Sequence, residues 1–303
     1  MADLSVKLCG VTLKNPIIAA SGTFGFGREY EQMYPLSTLG GISTKGTTLE
    51  ERAGNPPPRI AETPSGMLNS VGLQNPGVEA FIKHEIPHLR KSDTVIISNI
   101  AGSTLEDYCK IVERLDSEDV DMIEVNISCP NVKAGGAAFG TSCESAAAVT
   151  KAVRKYTTKP LVIKLSPNVT DIASIAKAVE AEGADAVSLI NTLLGMRIDI
   201  QTGRPILRNN VGGLSGPAVF PVAVRMVWQV KNAVKIPVIG MGGVAKWQDV
   251  IEMMMAGADA VQVGAALFSD PFLPGKLVEG IEKYLDSRSI GSISEIVGTV
   301  KPW

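Results

Sequence analysis

The sequence predicts an α/β protein. Its expected form is a closed (β/α)8 barrel of the TIM type, with an N-terminal hairpin and inserted loops or a small sheet over the C-terminal mouth. Three observations carry this. Eight short apolar runs recur along the 303 residues, each ending in Gly, Ser, Thr, Asn or Lys. Amphipathic stretches lie between most of them, and a parallel crossover needs such a segment. The runs are apolar almost throughout, as strands of a sheet buried on both faces are. Eight such units in one chain favour a closed barrel over an open doubly wound sheet. No Gly-x-Gly-x-x-Gly follows the first run, and "GTFGFG" at 22–27 lacks that spacing.

The runs are "PIIAASGT" (16–23), "GGISTKG" (40–46), "TVIISNIAG" (94–102) and "MIEVNISCP" (122–130). The others are "PLVIKLSPN" (160–168), "DAVSLINT" (185–192), "IPVIGMGG" (236–243) and "DAVQVGAALF" (259–268). In "SIAKAVEAEG" (174–183), Ile175, Ala176, Ala178 and Val179 fall near one helical face and Gly183 supplies the stop. "WQDVIEMMMAG" (247–257) repeats the pattern, which makes Met253 to Met255 packing residues. The opening "LSVKLCGVTLKNP" alternates like a hairpin and is expected to plug the barrel bottom. Connections 47–90 and 193–220 are too long for simple barrel loops, so they are expected to form lids or an added sheet. With no linker or low-complexity tract, residues 1–303 are expected to form one domain.

Composition excludes several classes. A formal net charge of -2 without a dense Lys/Arg cluster argues against nucleic acid or an anionic membrane as partner. The N-terminus lacks a basic region followed by an apolar core, so no export signal is expected, and no apolar run is long enough to span a bilayer. The expected location is cytoplasmic, with Cys9, Cys109, Cys129 and Cys143 as free thiols. The two histidines, His84 and His88, lack an HExxH context and read as helix-surface residues. No metal site is expected.

In this architecture the active site lies at the C-terminal strand ends. Ser21, Lys45, Asn99, Asn126, Lys164, Asn191 and Thr192 fall there, with glycines at 240, 242, 243 and 264. Several amides around one pocket suit a flat ring with alternating C=O and N–H groups. Glycines after the seventh and eighth strands suit a phosphate. Lys45 and Lys164 have three readings: a fixed cation, a Schiff-base nucleophile, or one half of a structural ion pair. Cys129 is either an inert core thiol or a base at a strand end, before the Gly- and Ala-rich "NVKAGGAAFG". Cys9, Cys109 and Cys143 have no such placement.

"ASGTFGFG", "TKGTT", "NPPPR", "NSVGLQNPG", "NISCPN", "IKLSPN", "INTLLGM", "GGLSGP", "IGMGGV" and "VQVGAALF" follow one another along the chain. In this order they resemble the dihydroorotate dehydrogenases over nearly the whole length. The cysteine in "SCPN" resembles class 1, and "NTLLGMRIDIQTGRP" with "SGTFGFG" resembles subclass 1B, the NAD-linked catalytic subunit. The resemblance implies FMN at the barrel mouth. Ser21, Lys45, Gly46, Asn99, Asn126, Lys164, Ile190, Gly216, Gly242, Gly243, Gly264 and Ala265 would contact it. Lys45, Asn69, Ser70, Val71, Gly72, Leu73, Asn126, Asn191 and Thr192 would hold dihydroorotate. Cys129 would take the C5 proton while N5 of FMN takes the C6 hydride, giving orotate for UMP synthesis. Electrons would pass through an iron–sulfur flavoprotein subunit, with FAD and [2Fe-2S], to NAD. The implied assembly is a homodimer core in a heterotetramer of two catalytic and two partner chains. Rival readings are a fumarate-linked subclass 1A enzyme, an FMN barrel for another pyrimidine, a non-catalytic scaffold subunit, or an aldolase using Lys164.

Overall fold

The computed structural model describes residues 2–128 and 139–303. Each of the eight apolar runs contains one barrel strand. These are β1 (Ile17–Ala19), β2 (Gly41–Ser43), β3 (Val95–Ile100), β4 (Met122–Asn126), β5 (Leu161–Lys164), β6 (Ala186–Leu189), β7 (Val238–Met241) and β8 (Ala260–Val263). All eight are buried along their length, and all neighbours pair parallel. The sheet closes through β5 and β6. Burial on both faces is why these strands carry continuous rather than alternating apolar residues.

Helices cover the outside. Thr104 caps Leu105–Asp116 in a capping box with Asp107. Ser142 and Asp171 cap Cys143–Arg154 and Ile172–Ala181. Gly183 follows the latter helix at φ 95°, a backbone region open mainly to glycine. Ile172, Ile175, Ala176 and Val179 are its buried face, while Ala178 is only half-buried. In Trp247–Met255, Met253 and Met254 are buried against the barrel, as the packing reading expects. Gly240 on β7 belongs to the same contact: a Cβ there would stand 2.6 Å from Met253 Cγ. It is a packing glycine at the sheet–helix interface. The crossover from β1 to β2 departs from the repeat, with two 3-10 turns, Tyr30–Gln32 and Leu36–Thr38, where the other units carry longer helices. Glycines 22, 25 and 27 at positive φ, then Pro35, leave no uninterrupted run for a helix.

The same device pins three strand pairs at the barrel bottom. Asp121 precedes β4, and its Oδ2 accepts from Ile96 N of β3 (2.7 Å) and Arg90 Nη1 (3.0 Å). Asp185 precedes β6 and accepts from Leu161 N of β5 (2.8 Å) and Arg154 Nη1 (2.7 Å). Asp259 precedes β8 and accepts from Val238 N of β7 (2.8 Å) and Lys231 Nζ (2.9 Å). Each carboxylate thus joins the start of an odd strand to a cation from the segment that leads to it.

The opening forms an antiparallel hairpin, Val6–Leu8 with Val11–Leu13. Leu8 and Leu13 are fully buried in the core, and Cys9 Sγ donates to Asp185 O at 3.2 Å. The hairpin therefore sits at the N-terminal end of the strands. The two long connections combine at the opposite end. Ile60–Thr63, Gly66–Asn69, Leu193–Gly195 and Gly212–Ser215 make one antiparallel sheet. A second small hairpin pairs Ile198–Asp199 with Arg204–Pro205. Among the described residues no helix is long and apolar enough to cross a membrane.

Asp259→Ala strips the start of β7 of its acceptor and leaves Lys231 without its carboxylate. It is expected to cost about 1–3 kcal/mol of stability, read by urea unfolding. An unchanged midpoint would show that the carboxylate bridge contributes nothing.

Candidate active site

One large cavity opens at the C-terminal ends of the barrel strands. Ala20 and Ser21 enter it just after β1, and Lys45 and Gly46 after β2. Asn126 and Lys164 close β4 and β5, and the two residues are register partners. Ile190, Asn191 and Thr192 follow β6. Gly242 and Gly243 follow β7, and Gly264 and Ala265 follow β8. The added sheet walls the cavity with Asn69, Val71, Gly72, Leu73 and Gly216. Seventeen of the twenty expected site residues thus meet in one place.

Three do not line it. Ser70 is fully buried behind the wall, where its N–H donates to Arg59 O and its carbonyl accepts from Asn55 Nδ2 at 2.8 Å. Asn99 is fully buried under Gly46, whose Cβ position would stand 2.8 Å from Asn99 Oδ1. Cys129 lies outside the described residues.

The only charged side chains lining the cavity, among the described residues, are Lys45 and Lys164. A cavity with two lysines and no lining carboxylate attracts anions. Lys164 is 5% exposed and has no hydrogen-bond acceptor among the described residues. A buried ammonium of that kind is satisfied by an acceptor from a ligand.

A polar chain runs along one side. Asn191 Nδ2 donates to Ser128 Oγ at 2.6 Å, and Ser128 Oγ donates to Asn126 Oδ1 at 2.7 Å. The oxygen of Asn126 is thereby committed, so its NH2 remains for a ligand. Tyr108 OH donates to Asn126 O at 2.8 Å and fixes the end of β4. Asn168 holds Thr192 O and Leu194 N at 3.0 and 2.9 Å, fixing the segment after β6.

Glycines build the far side. Gly216 and Gly243 have φ of 102° and 78°, and a Cβ on Gly243 would reach Gly216 O at 2.8 Å. These two are demanded by the chain itself. Gly264 is different: a Cβ there would make ordinary contacts, the nearest at 3.5 Å to Ala20. Nothing in the protein requires glycine at 264, whereas a ligand lying against the backbone would. The N–H groups of Gly243, Val244 and Ala265 have no acceptor among the described residues. Convergent backbone donors of this kind suit a phosphate. A flavin mononucleotide fits the whole arrangement, with donors for its phosphate at the glycines and lysines and amides for its ring.

Four residues escaped the sequence reading. Ser43, Glu124, Ser188 and Gln262 are buried inside the barrel and joined by hydrogen bonds of 2.7 Å to the Glu124 carboxylate. Their signal was present, since each is a polar residue set in an otherwise apolar stretch of strand. His84 and His88 stay outside the site. His84 is exposed, and His88 Nε2 lies 3.1 Å from Glu31 Oε2. No group of three metal-ligating side chains occurs among the described residues.

Comparison with known proteins agrees with this geometry. The family model for dihydroorotate dehydrogenase matches residues 3–285. The chain belongs to the dihydroorotate dehydrogenase family. It is 59% identical to a protein of Alkaliphilus oremlandii over 98% of each chain. It is 54% identical to one of Geobacillus kaustophilus, covering 98% of this chain and 96% of that one. It is also 54% identical to one of Bacteroides fragilis, over 99% of this chain and all of the other. Each of these relatives is named dihydroorotate dehydrogenase B (NAD(+)), catalytic subunit.

The remaining thiols divide by environment. Burial, reinforced by Asp185 and Asp259, pushes Cys9 up to about 12. Burial also raises Cys109. Cys143 is exposed. At pH 8 a thiol at 12 is thiolate in on the order of one molecule in ten thousand. Alkylation followed by mass spectrometry should therefore label Cys143 ahead of Cys109 and spare Cys9. Early labelling of Cys9 would contradict its buried environment.

Proposed function

We propose that this chain is the catalytic subunit of an NAD-linked dihydroorotate dehydrogenase, oxidising dihydroorotate to orotate for UMP synthesis. The observation that carries the reading is the cavity at the barrel mouth. Its lining charges are two lysines, and it joins an amide-rich side to a glycine-rich side with free backbone donors. Full-length similarity to relatives of that name supports it. Family membership also sets aside an aldolase built on Lys164.

The residues take these roles. Gly216, Gly242, Gly243, Gly264 and Ala265 hold the FMN phosphate and the chain behind it. Ser21, Gly46, Ile190 and Lys164 border the flavin ring, and Asn99 supports it from beneath Gly46. Bound FMN supplies the acceptor for the C6 hydride. Lys45 faces the substrate carboxylate, and Asn126, Asn191 and Thr192 read its ring amides. Asn69 to Leu73 form the outer wall of the substrate site, with Ser70 behind that wall. Cys129 takes the proton from C5, and the C–H bonding pair left behind forms the C5–C6 double bond as the hydride leaves. Lys164 stabilises negative charge that reduction places on the ring edge.

The electrons leave through a partner subunit carrying FAD and [2Fe-2S], which passes them to NAD. The assembly is two catalytic and two partner chains around a catalytic homodimer, in the cytoplasm. Each catalytic chain contributes one barrel domain.

The first test is anaerobic addition of dihydroorotate to the FMN-loaded protein while the flavin absorption band is followed. Rapid bleaching is expected. A yellow protein that stays yellow would point to another pyrimidine, and failure to take up FMN would overturn the reading. Cys129→Ser should retain FMN and slow bleaching by about 10²–10⁴-fold, the usual contribution of a general base. The wild-type rate should climb with pH towards the ordinary thiol pKa of about 8.5. Lys164→Ala should weaken FMN binding or slow bleaching. A flavin-replete, fully active variant at either position would remove that residue from the scheme.

A further inference from the structure

One layer of the barrel interior is polar. Ser43, Glu124, Ser188 and Gln262 come from β2, β4, β6 and β8, the even strands. In barrels of this kind four side chains from alternate strands fill each interior layer, usually with Val, Ile or Leu. Here the centre is a carboxylate with no exposure at all. A buried carboxylate costs several kcal/mol unless it is fully hydrogen-bonded, and an apolar layer of the same volume is often the more stable choice. The layer therefore calls for a reason beyond folding.

The carboxylate has four donors. Ser43 Oγ and Asn99 Nδ2 donate to Oε2 at 2.7 and 2.5 Å. Ser188 Oγ and Gln262 Nε2 donate to Oε1, each at 2.7 Å. Burial pushes its pKa up, but the charge of Lys164 and the bonds from Ser43, Ser188 and Asn99 outweigh this, so it stays below the ordinary carboxyl range. An ionised carboxylate accepts and never donates. Both amides must therefore turn their NH2 groups towards Glu124 and their oxygens away from it. Asn99 Oδ1 and Gln262 Oε1 are buried and have no partner among the described residues. Gln262 and Lys164 line the cavity, and Asn99 Oδ1 lies under Gly46, which also lines it.

We propose that Glu124 is a positioning residue for the flavin: from beneath the site it sets which way Asn99 and Gln262 present their amides and balances the charge of Lys164. The inference rests on the FMN reading above. A bound ring then meets the Gln262 oxygen, while the Asn99 oxygen is held against Gly46 in the cavity wall; a neutral layer would leave both amides free to flip. An amide at 124 brings its own NH2 into the layer, which forces Asn99 or Gln262 to turn. It also removes a negative charge beneath the ring, which eases electron addition.

The test uses apoprotein, titrated with FMN, and the midpoint potential of the reloaded flavin. Glu124→Gln is expected to weaken FMN binding about tenfold, the worth of one or two oriented hydrogen bonds, and to shift the potential positive. Ser188→Ala removes one donor without altering any cavity-lining residue and leaves the carboxylate charge in place but less compensated, so it should shift the potential negative, opposite to Glu124→Gln and by a smaller amount. It decides the matter if Glu124→Gln does not fold. Thermal unfolding of each apoprotein separates a structural effect from a flavin effect. A folded variant with lower stability but wild-type affinity and potential would overturn the proposal and leave Glu124 structural. Wild-type apoprotein that takes up no FMN would instead bring down the FMN reading, and this inference with it.

Discussion

A closed parallel barrel has no edge, and every strand in it begins at one end and finishes at the other. Most of what distinguishes this molecule follows from that constraint. Eight strand ends from positions 19 to 263 are gathered into one ring. Groups placed at the ends of different strands, such as Lys45, Asn126, Lys164 and Gly264, become neighbours without any local sequence signal between them. The price of closure is that neither end of the ring can be left bare.

The two ends are finished by different chemistry. At the bottom, Asp121, Asp185 and Asp259 accept from strand N–H groups and from cations of the preceding segments, and the N-terminal hairpin inserts Leu8 and Leu13 into the core at the same end. Carboxylates suit this end because the N–H groups of Ile96, Leu161 and Val238 lie where their strands begin and take a side-chain acceptor in place of a ladder carbonyl. At the top, lysines, amides and glycines replace carboxylates. The field at the mouth is therefore cationic, although the whole chain is close to neutral. A mouth whose lining charges, among the described residues, are two lysines attracts anions even though the chain is of ordinary composition.

Between the two ends lies the Glu124 layer. It links the core to the site: its donors come from strands on both sides of the barrel, and one of them, Gln262, lines the cavity while another, Asn99, lies directly under the lining Gly46. Such a network fixes rotamers that a hydrocarbon layer would leave undirected. Its energetic cost is borne by the rest of the core, where Ile17, Ile18, Ile96, Ile97 and Ile163 are fully buried.

The fold was legible because strand and helix periodicity are local. All eight runs hold a barrel strand, and the stops at Gly183 and Gly257 follow their helices. The site was legible because polar residues at strand ends are visible in any register, and the family motifs name most of them. The glycine-interrupted crossover after β1 carried its departure from helix in the sequence too. Two things were not legible. Ser70 and Asn99 sit one layer behind the cavity wall, because whether a side chain enters a cavity depends on strand tilt and on the glycine packed over it. The meeting of Ser43, Glu124, Ser188 and Gln262 was invisible because those residues are separated by up to 219 positions and converge only when the barrel closes. The sequence by itself determined which residues are polar inside an apolar strand. Only the tertiary structure decided that they share one carboxylate, since that depends on the shear with which the strands close.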